Sequence, residues 1–167
     1  MKIYLDTSAL GKRYFSEDGS EKIDEYYSHA WNGKSTLVVS LWNIGEFVDV
    51  LLRKTRRAEI SEIESRELLQ DLQGEMLGLR KQDSFVVVPL TDDLVESSWE
   101  MAMREKIRVA DALQVVTSKQ RHCDLFLTGD KDLSGIASKY MNALLLGSAN
   151  RNIGPYPSRR RATATES

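Results

Sequence analysis

Four short stretches of the chain are apolar at nearly every position: residues 3–5, 36–39, 85–88 and 125–128. A strand with one wet face alternates polar and apolar side chains, whereas a strand covered on both faces has no need to. These four runs are therefore read as buried parallel strands, with 143–146 as a weaker fifth. Helical patterns fill the spaces between them, at about 20–31, 42–54, 59–80, 92–105 and 109–119. In the longest, Leu69, Leu72, Met76 and Leu79 recur at intervals of three, four and three, which makes one apolar stripe. Asp92 and Glu96 before Trp99 suit the first turns of a helix, where acids meet the positive end of the dipole. Alternation of strands and helices predicts a three-layer α/β sandwich around a central, mainly parallel sheet of four to five strands. The helices 42–54 and 59–80 follow each other across a short basic link, so they are expected to form a helical hairpin.

Composition narrows this picture only a little. A chain of 167 residues suits one domain with a sizeable core, and its 29% charged residues are ordinary for a globular protein. No apolar run approaches the roughly 20 residues of a membrane helix, and an acid at position 6 comes too early for a secretory signal. Cys123 is the only cysteine, which fits a reducing compartment, and a cytoplasmic location is expected. Residues 1–150 hold 19 Lys and Arg against 24 Asp and Glu, while four arginines face Glu166 in 151–167. The expected organisation is a domain over 1–149 and a basic, flexible tail over 150–167. A polyanion bound by the acidic body would need cations to screen it, or a local basic rim.

Candidate chemistry lies in the acids. Ligands of open α/β sheets bind beyond the carboxyl ends of the strands. Asp6 directly follows the first apolar run and precedes Thr7 and Ser8, which could cap a helix. Asp130 follows the fourth run within LTGDKDL, where Asp132 adds a further acid. Either acid alone is as well explained as a turn residue or cap. Glu46 sits inside the apolar WNIGEFVDVLL and Asp111 inside VADALQVV, and a carboxylate in such company is usually paired or bound to a metal. The plainer alternatives are a partner such as Arg53 for Glu46, and interaction with the helix N-terminus for Asp111. Taken together, four acids at one sheet edge form an oxygen-only donor set that suits Mg²⁺ or Mn²⁺. Such ions can generate hydroxide and stabilise an in-line phosphoryl displacement. Two histidines in polar contexts, and no GxxxxGK[ST] or GxGxxG, leave histidine-based hydrolysis and P-loop or dinucleotide binding without support.

The motifs IYLDTSAL, SLWNIGEF, RVADALQVVTS and LFLTGDKDL, in that order, resemble the four acid motifs of the PIN-domain family. Within that family they are most similar to the VapC-type toxins of toxin–antitoxin pairs. The resemblance spans about 1–147 and implies an Mg²⁺- or Mn²⁺-dependent ribonuclease with a PIN-like fold, commonly a homodimer held inactive by an antitoxin. It implies Asp6, Asp111 and Asp130 as metal ligands, Glu46 as a ligand or a base acting through water, and Asp132 as an outer ligand or a helix cap. Thr7, Ser8 and Thr128 would orient the carboxylates or bound water. Lys12, Arg13 and Lys131 are the candidate contacts to an RNA backbone, with ordinary surface charge as the alternative. Gln114 departs from the pattern, standing where many toxin relatives carry histidine. Three other readings stay open: a housekeeping RNA-processing nuclease, a catalytically silent module that holds RNA or protein, and a phosphohydrolase of small esters.

Overall fold

The structure, a computed structural model, describes residues 1–147. The expected boundary at 149 and the basic tail of 150–167 lie outside the described residues. Five strands, β1 (Lys2–Leu5), β2 (Thr36–Ser40), β3 (Phe85–Val88), β4 (Leu125–Thr128) and β5 (Ala143–Leu145), form one sheet in the order β3-β2-β1-β4-β5. Every pairing is parallel, with Tyr4 opposite Val38 on one side and Phe126 on the other. Among the described residues seven helices accompany the sheet: α1 (Thr7–Tyr14), α2 (Ser20–Trp31), α3 (Leu41–Arg56), α4 (Glu62–Arg80), α5 (Asp92–Glu105), α6 (Val109–Gln120) and α7 (Lys131–Ala137).

The alternating side chains of the strands feed two separate cores, which makes the three-layer sandwich. Ile3, Leu5, Leu37, Val39 and Leu127 pack with Ile23 and Tyr27 of α2 and Leu79 of α4. On the opposite face Tyr4, Val38 and Phe126 meet α5, α6 and α7 through Met101, Val115 and Leu133. A third cluster of Leu10, Phe47, Leu51 and Leu72 ties the α3–α4 hairpin to α1. Within the described residues no helix is long and apolar enough to cross a membrane.

The three central strands are covered on both faces, as their unbroken apolar runs require. The two edges are not: β3 leaves Val86 39% exposed, and β5 is only half-buried along its length. Phe85–Val88 therefore reads as doubly covered in sequence but is an edge strand in space. The second hairpin helix starts at Glu62 rather than 59, because Ala58 takes a positive φ of 55° and Ser61 caps the helix by accepting from the Glu64 N–H. Where the sheet ends, Gly147 (φ 83°) lies against the turn into α2 at Gly19 (φ 88°). A Cβ on Gly147 would stand 2.7 Å from the Asp18 carbonyl oxygen, so both the backbone conformation and the close approach call for glycine.

Candidate active site

All the acids singled out in sequence follow from the strand order. With β1 between β2 and β4, the residues that leave the carboxyl ends of those three strands arrive side by side. Asp6 ends β1, α3 begins directly after β2, and Asp130 follows β4. α6 brings Asp111 to the same edge. Asp6, Glu46, Asp111 and Asp130 line one open cleft of about 290 Å³, together with Thr7, Ser8, Asp49, Arg53, Arg108 and Gln114. Five carboxylates and two guanidinium groups leave little in it for an apolar ligand.

Asp6 is the deepest of these acids, with 3% of its surface exposed. It is the N-cap of α1, and its Oδ1 accepts from the Ala9 N–H at 2.6 Å. The Ser8 hydroxyl donates to both carboxylate oxygens, at 2.7 and 2.9 Å, and Thr128 donates to Oδ2 at 2.5 Å. All of these partners are neutral. Burial pushes the Asp6 carboxyl from its ordinary 3.8 up to about 6, against the pull of the Thr128, Ala9 and Ser8 hydrogen bonds and with a small push from Asp130. Thr128 also accepts from the Asp130 N–H at 2.9 Å, so one hydroxyl sets the spacing of the two strand-end acids. Asp130 in turn caps α7, accepting from the Asp132 and Leu133 N–H groups at 2.8 and 3.0 Å. The plain reading of Asp6 and Asp130 as caps is thus correct, and it coexists with their place in the cleft.

Glu46 is not paired with Arg53. Its Oε2 accepts a short hydrogen bond from Thr7 and a longer one, 3.3 Å, from the Gln114 amide. Gln114 is buried, and its Oε1 accepts from the Asn43 amide at 2.7 Å and the Thr7 N–H at 3.2 Å. Asn43, fully buried, accepts from the Tyr4 hydroxyl at 2.8 Å and completes a capping box with Ser40. Residue 114 therefore reaches through Asn43 to the cap that starts α3, the helix that carries Glu46. Neither Asn43 nor this role of Gln114 was foreseen; the signal available was Asn43 three residues after Ser40, a cap pattern.

Asp111 lies in the first turn of α6 and is gripped by Arg108, whose Nε and Nη2 donate to its two oxygens at 2.9 and 3.1 Å. The hydrogen bond to Asp111 raises the Arg108 pKa most, and the charges of Asp130 and Glu46 add to it. Of the cations proposed from sequence, Lys12 packs its stem against Gly129, beside the acids, while Arg13 is turned away from them. Arg13 is bound to Glu75 and Asp24 at 2.5 and 2.7 Å, the Lys12 ammonium is 3.5 Å from Glu17, and Lys131 opens α7. None of the three lines the cleft; Arg53 and Arg108 do. Arg53 was legible as part of the Glu46, Asp49, Arg53 face of α3, and Arg108 as the residue three before Asp111. Asp132 is exposed and outside the cleft lining. Cys123 is half-buried among the side chains under α6.

Carboxylate and hydroxyl oxygens are the ligands a hard divalent cation takes, and a buried carboxylate with only neutral partners calls for positive charge. In donor chemistry the cleft fits such an ion. Among the described residues, however, no three His, Cys, Asp or Glu side chains stand together as a ligand set. Asp111 is turned onto Arg108, Glu46 onto Thr7 and Gln114, and Asp130 onto the start of α7.

The family model of the PIN domain matches residues 3–139. No curated protein matches the chain in sequence. Among solved structures, a protein of Pyrobaculum aerophilum aligns at 15% identity with a TM-score of 0.62, over 86% of this chain and 83% of its own. VapC20 of Mycobacterium tuberculosis, a sarcin-ricin loop cleaving toxin, aligns at 19% identity and a TM-score of 0.56, over 80% and 93%. VapBC2 of Rickettsia felis, bound to a DNA fragment from its promoter, aligns at 10% identity and a TM-score of 0.57, over 87% and 99%.

Proposed function

The chain belongs to the PIN domain family, and on that footing we propose that it is a divalent-metal-dependent endoribonuclease that hydrolyses RNA phosphodiesters. The observation that carries this reading is the buried Asp6 carboxylate, compensated by no cation and opening on a cleft with Glu46, Asp111 and Asp130. Asp6, Asp111 and Asp130 would hold Mg²⁺ or Mn²⁺, with Glu46 as a further ligand or a base acting through water; Asp132 is left to the outer shell. A bound ion would supply an activated water and offset charge on the phosphate.

The chain's own side chains do the positioning. Ser8 and Thr128 fix both oxygens of Asp6, so its lone pairs hold one direction. Thr7 and Gln114 hold Glu46 at the α3 wall through its Oε2, so a proton taken from water would reside on its Oε1. Arg53 and Arg108 are the cations available to a polyanion in an otherwise acidic cleft.

Likeness to a VapC toxin and a VapBC pair in fold supports a place as the toxin of a VapBC-type toxin–antitoxin system with an antitoxin partner; a homodimer and a cytoplasmic location belong to the same proposal. A housekeeping RNA-processing nuclease is the alternative. One observation favours a silent binding module: no three acids stand together among the described residues. Incubation with single-stranded RNA, with Mg²⁺ or with excess chelator, separates the readings. Cleavage only with the ion supports the nuclease; binding without cleavage supports the module; turnover of a small phosphate ester alone supports neither.

A further inference from the structure

We propose that Arg108 is a resident counter-cation of the cleft, which a divalent ion displaces from Asp111 and which then turns to the RNA phosphate. The inference deepens the nuclease reading and rests on it.

Lys139 and Arg104 also reach from solvent onto a sheltered acid, Glu105, but the Arg108–Asp111 pair lies in the cleft. Arg108 is mostly exposed, with 78% of its side chain accessible, while Asp111 keeps only 18%. The guanidinium therefore reaches from solvent into the cleft to lie on a half-sheltered carboxylate, with both bonds of a fork in place. It does no other structural work with that side chain: Arg108 occupies the N-cap position of α6 but donates no cap, and an arginine has no acceptor to offer the helix N-terminus. Arg104, by contrast, lies over Tyr140, and Arg13 stacks on Tyr27 while bridging two acids.

An ion that takes Asp111 as a ligand must compete with this fork for the same two oxygens. Displacement is cheap, because an exposed pair is worth no more than about fivefold in an equilibrium. Once freed, the guanidinium remains on the rim of the cleft, where it can offer the same fork to a phosphate held by the ion. The ion pair thus accounts for the turn of Asp111 away from the other acids, and its opening would add a free cation to a cleft in which acids outnumber arginines.

Two experiments on the full chain test this. Calorimetric titration of Mn²⁺ at low ionic strength should show R108A binding the ion about two- to fivefold more tightly than the parent. At saturating Mn²⁺ the same variant should cleave single-stranded RNA more slowly, and R108K should not restore the rate, since an ammonium lacks the fork. A pair that merely staples α6 predicts the reverse for the metal, with affinity unchanged or weakened; that result overturns the proposal. The second experiment needs no metal. In chelator, D111N frees Arg108 and should bind single-stranded RNA more tightly, with a dependence on log salt steeper by about 0.7 for one added phosphate contact. Adding R108A to D111N should remove that gain in slope; if the double variant keeps it, Arg108 is no phosphate ligand. A parent that binds no Mn²⁺ while D111N gains the RNA contact refutes the metal mechanism and the displacement, and leaves Arg108 as a phosphate residue. Normal Mn²⁺ binding and cleavage with no effect of R108A refute only the inference.

Discussion

Removing the charge of Asp6 should make the protein in chelator more stable and, under the nuclease reading, end RNA cleavage. The carboxyl is 3% exposed, its partners are neutral, and burial raises it from 3.8 to about 6. In the unfolded chain the proton is lost near the ordinary value, so between pH 3.8 and 6 the native state binds more protons than the unfolded one. Stability must then fall as pH rises through that window, and the loss is complete above it. A shift of roughly two units at about 1.4 kcal/mol each gives about 3 kcal/mol, or about 6–12 °C in melting temperature for a domain of this size. Asn at position 6 keeps the Ala9 N–H bond through its oxygen and offers N–H groups to the Ser8 and Thr128 hydroxyls, which can rotate to accept. Thermal melts of the parent and Asp6→Asn in chelator, from pH 3.5 to 8, isolate the term as a difference, since other carboxylates titrate in both. The expected result is near-equal stability at the acid end and a higher-melting variant above pH 6, with Mg²⁺ narrowing the gap by stabilising only the parent. A variant that melts below the chelated parent at pH 7.5 would refute the argument, and would mean that the hydroxyl cage prefers the carboxylate enough to cancel its burial cost.

Under the nuclease reading, Asp6→Asn, Asp111→Asn and Asp130→Asn should each lower RNA cleavage by orders of magnitude, whereas Asp132→Asn, outside the cleft, should retain most of it; initial rates on one labelled RNA compare all four. Gln114→Leu leaves the Asn43 amide and the Thr7 N–H short of an acceptor and frees Glu46 on one side. Denaturant unfolding should show a loss of about 2–5 kcal/mol, at about 1–3 kcal/mol per stranded polar group. Gly147→Ala meets both a left-handed backbone and the Asp18 carbonyl, so its melt should fall by the equivalent of about 1–3 kcal/mol with the cleft untouched.

The parts of the fold that the sequence announced are those where one environment covers a whole element. β1, β2 and β4 are buried on both faces and read as unbroken apolar runs; β3 and β5 are edges, and only their position in the sheet reveals it. α1 and α7 were visible as caps but not as spans, because Gly11, Lys12 and Arg13 break the apolar stripe of α1 and α7 has only seven residues. At the site, four acids could be placed at one edge because strand ends dictate where residues 6 and 130 go. What proximity in the chain misjudged was which cations join them. Lys12 and Arg13 follow Asp6 closely in the chain, yet α1 turns Arg13 onto α2 and α4, and Lys12 toward Gly129 and Glu17. Arg53 and Arg108 are remote from Asp6 in sequence, and α3 and α6 deliver them. Gln114 was legible only as a departure from a pattern. Its role as the link between Glu46 and the α3 cap depends on two helices meeting across the end of β1.

Asp6 takes one of its hydroxyl partners from Thr128, 122 positions further on, and β1 is hydrogen-bonded to β4 as well as to β2. During synthesis the first acid therefore leaves the ribosome long before the strand that holds it in place. Contacts so far apart in the chain close late, after the local helices and the β1–β2 pair. A nascent chain that ends before β4 presents Asp6 and Glu46 with neither the Thr128 hydroxyl nor Asp130, so the cleft is complete only once β4 has been made. Under the nuclease reading the order of emergence is itself a safeguard: RNA near the ribosome meets no assembled cleft until β4 has joined β1.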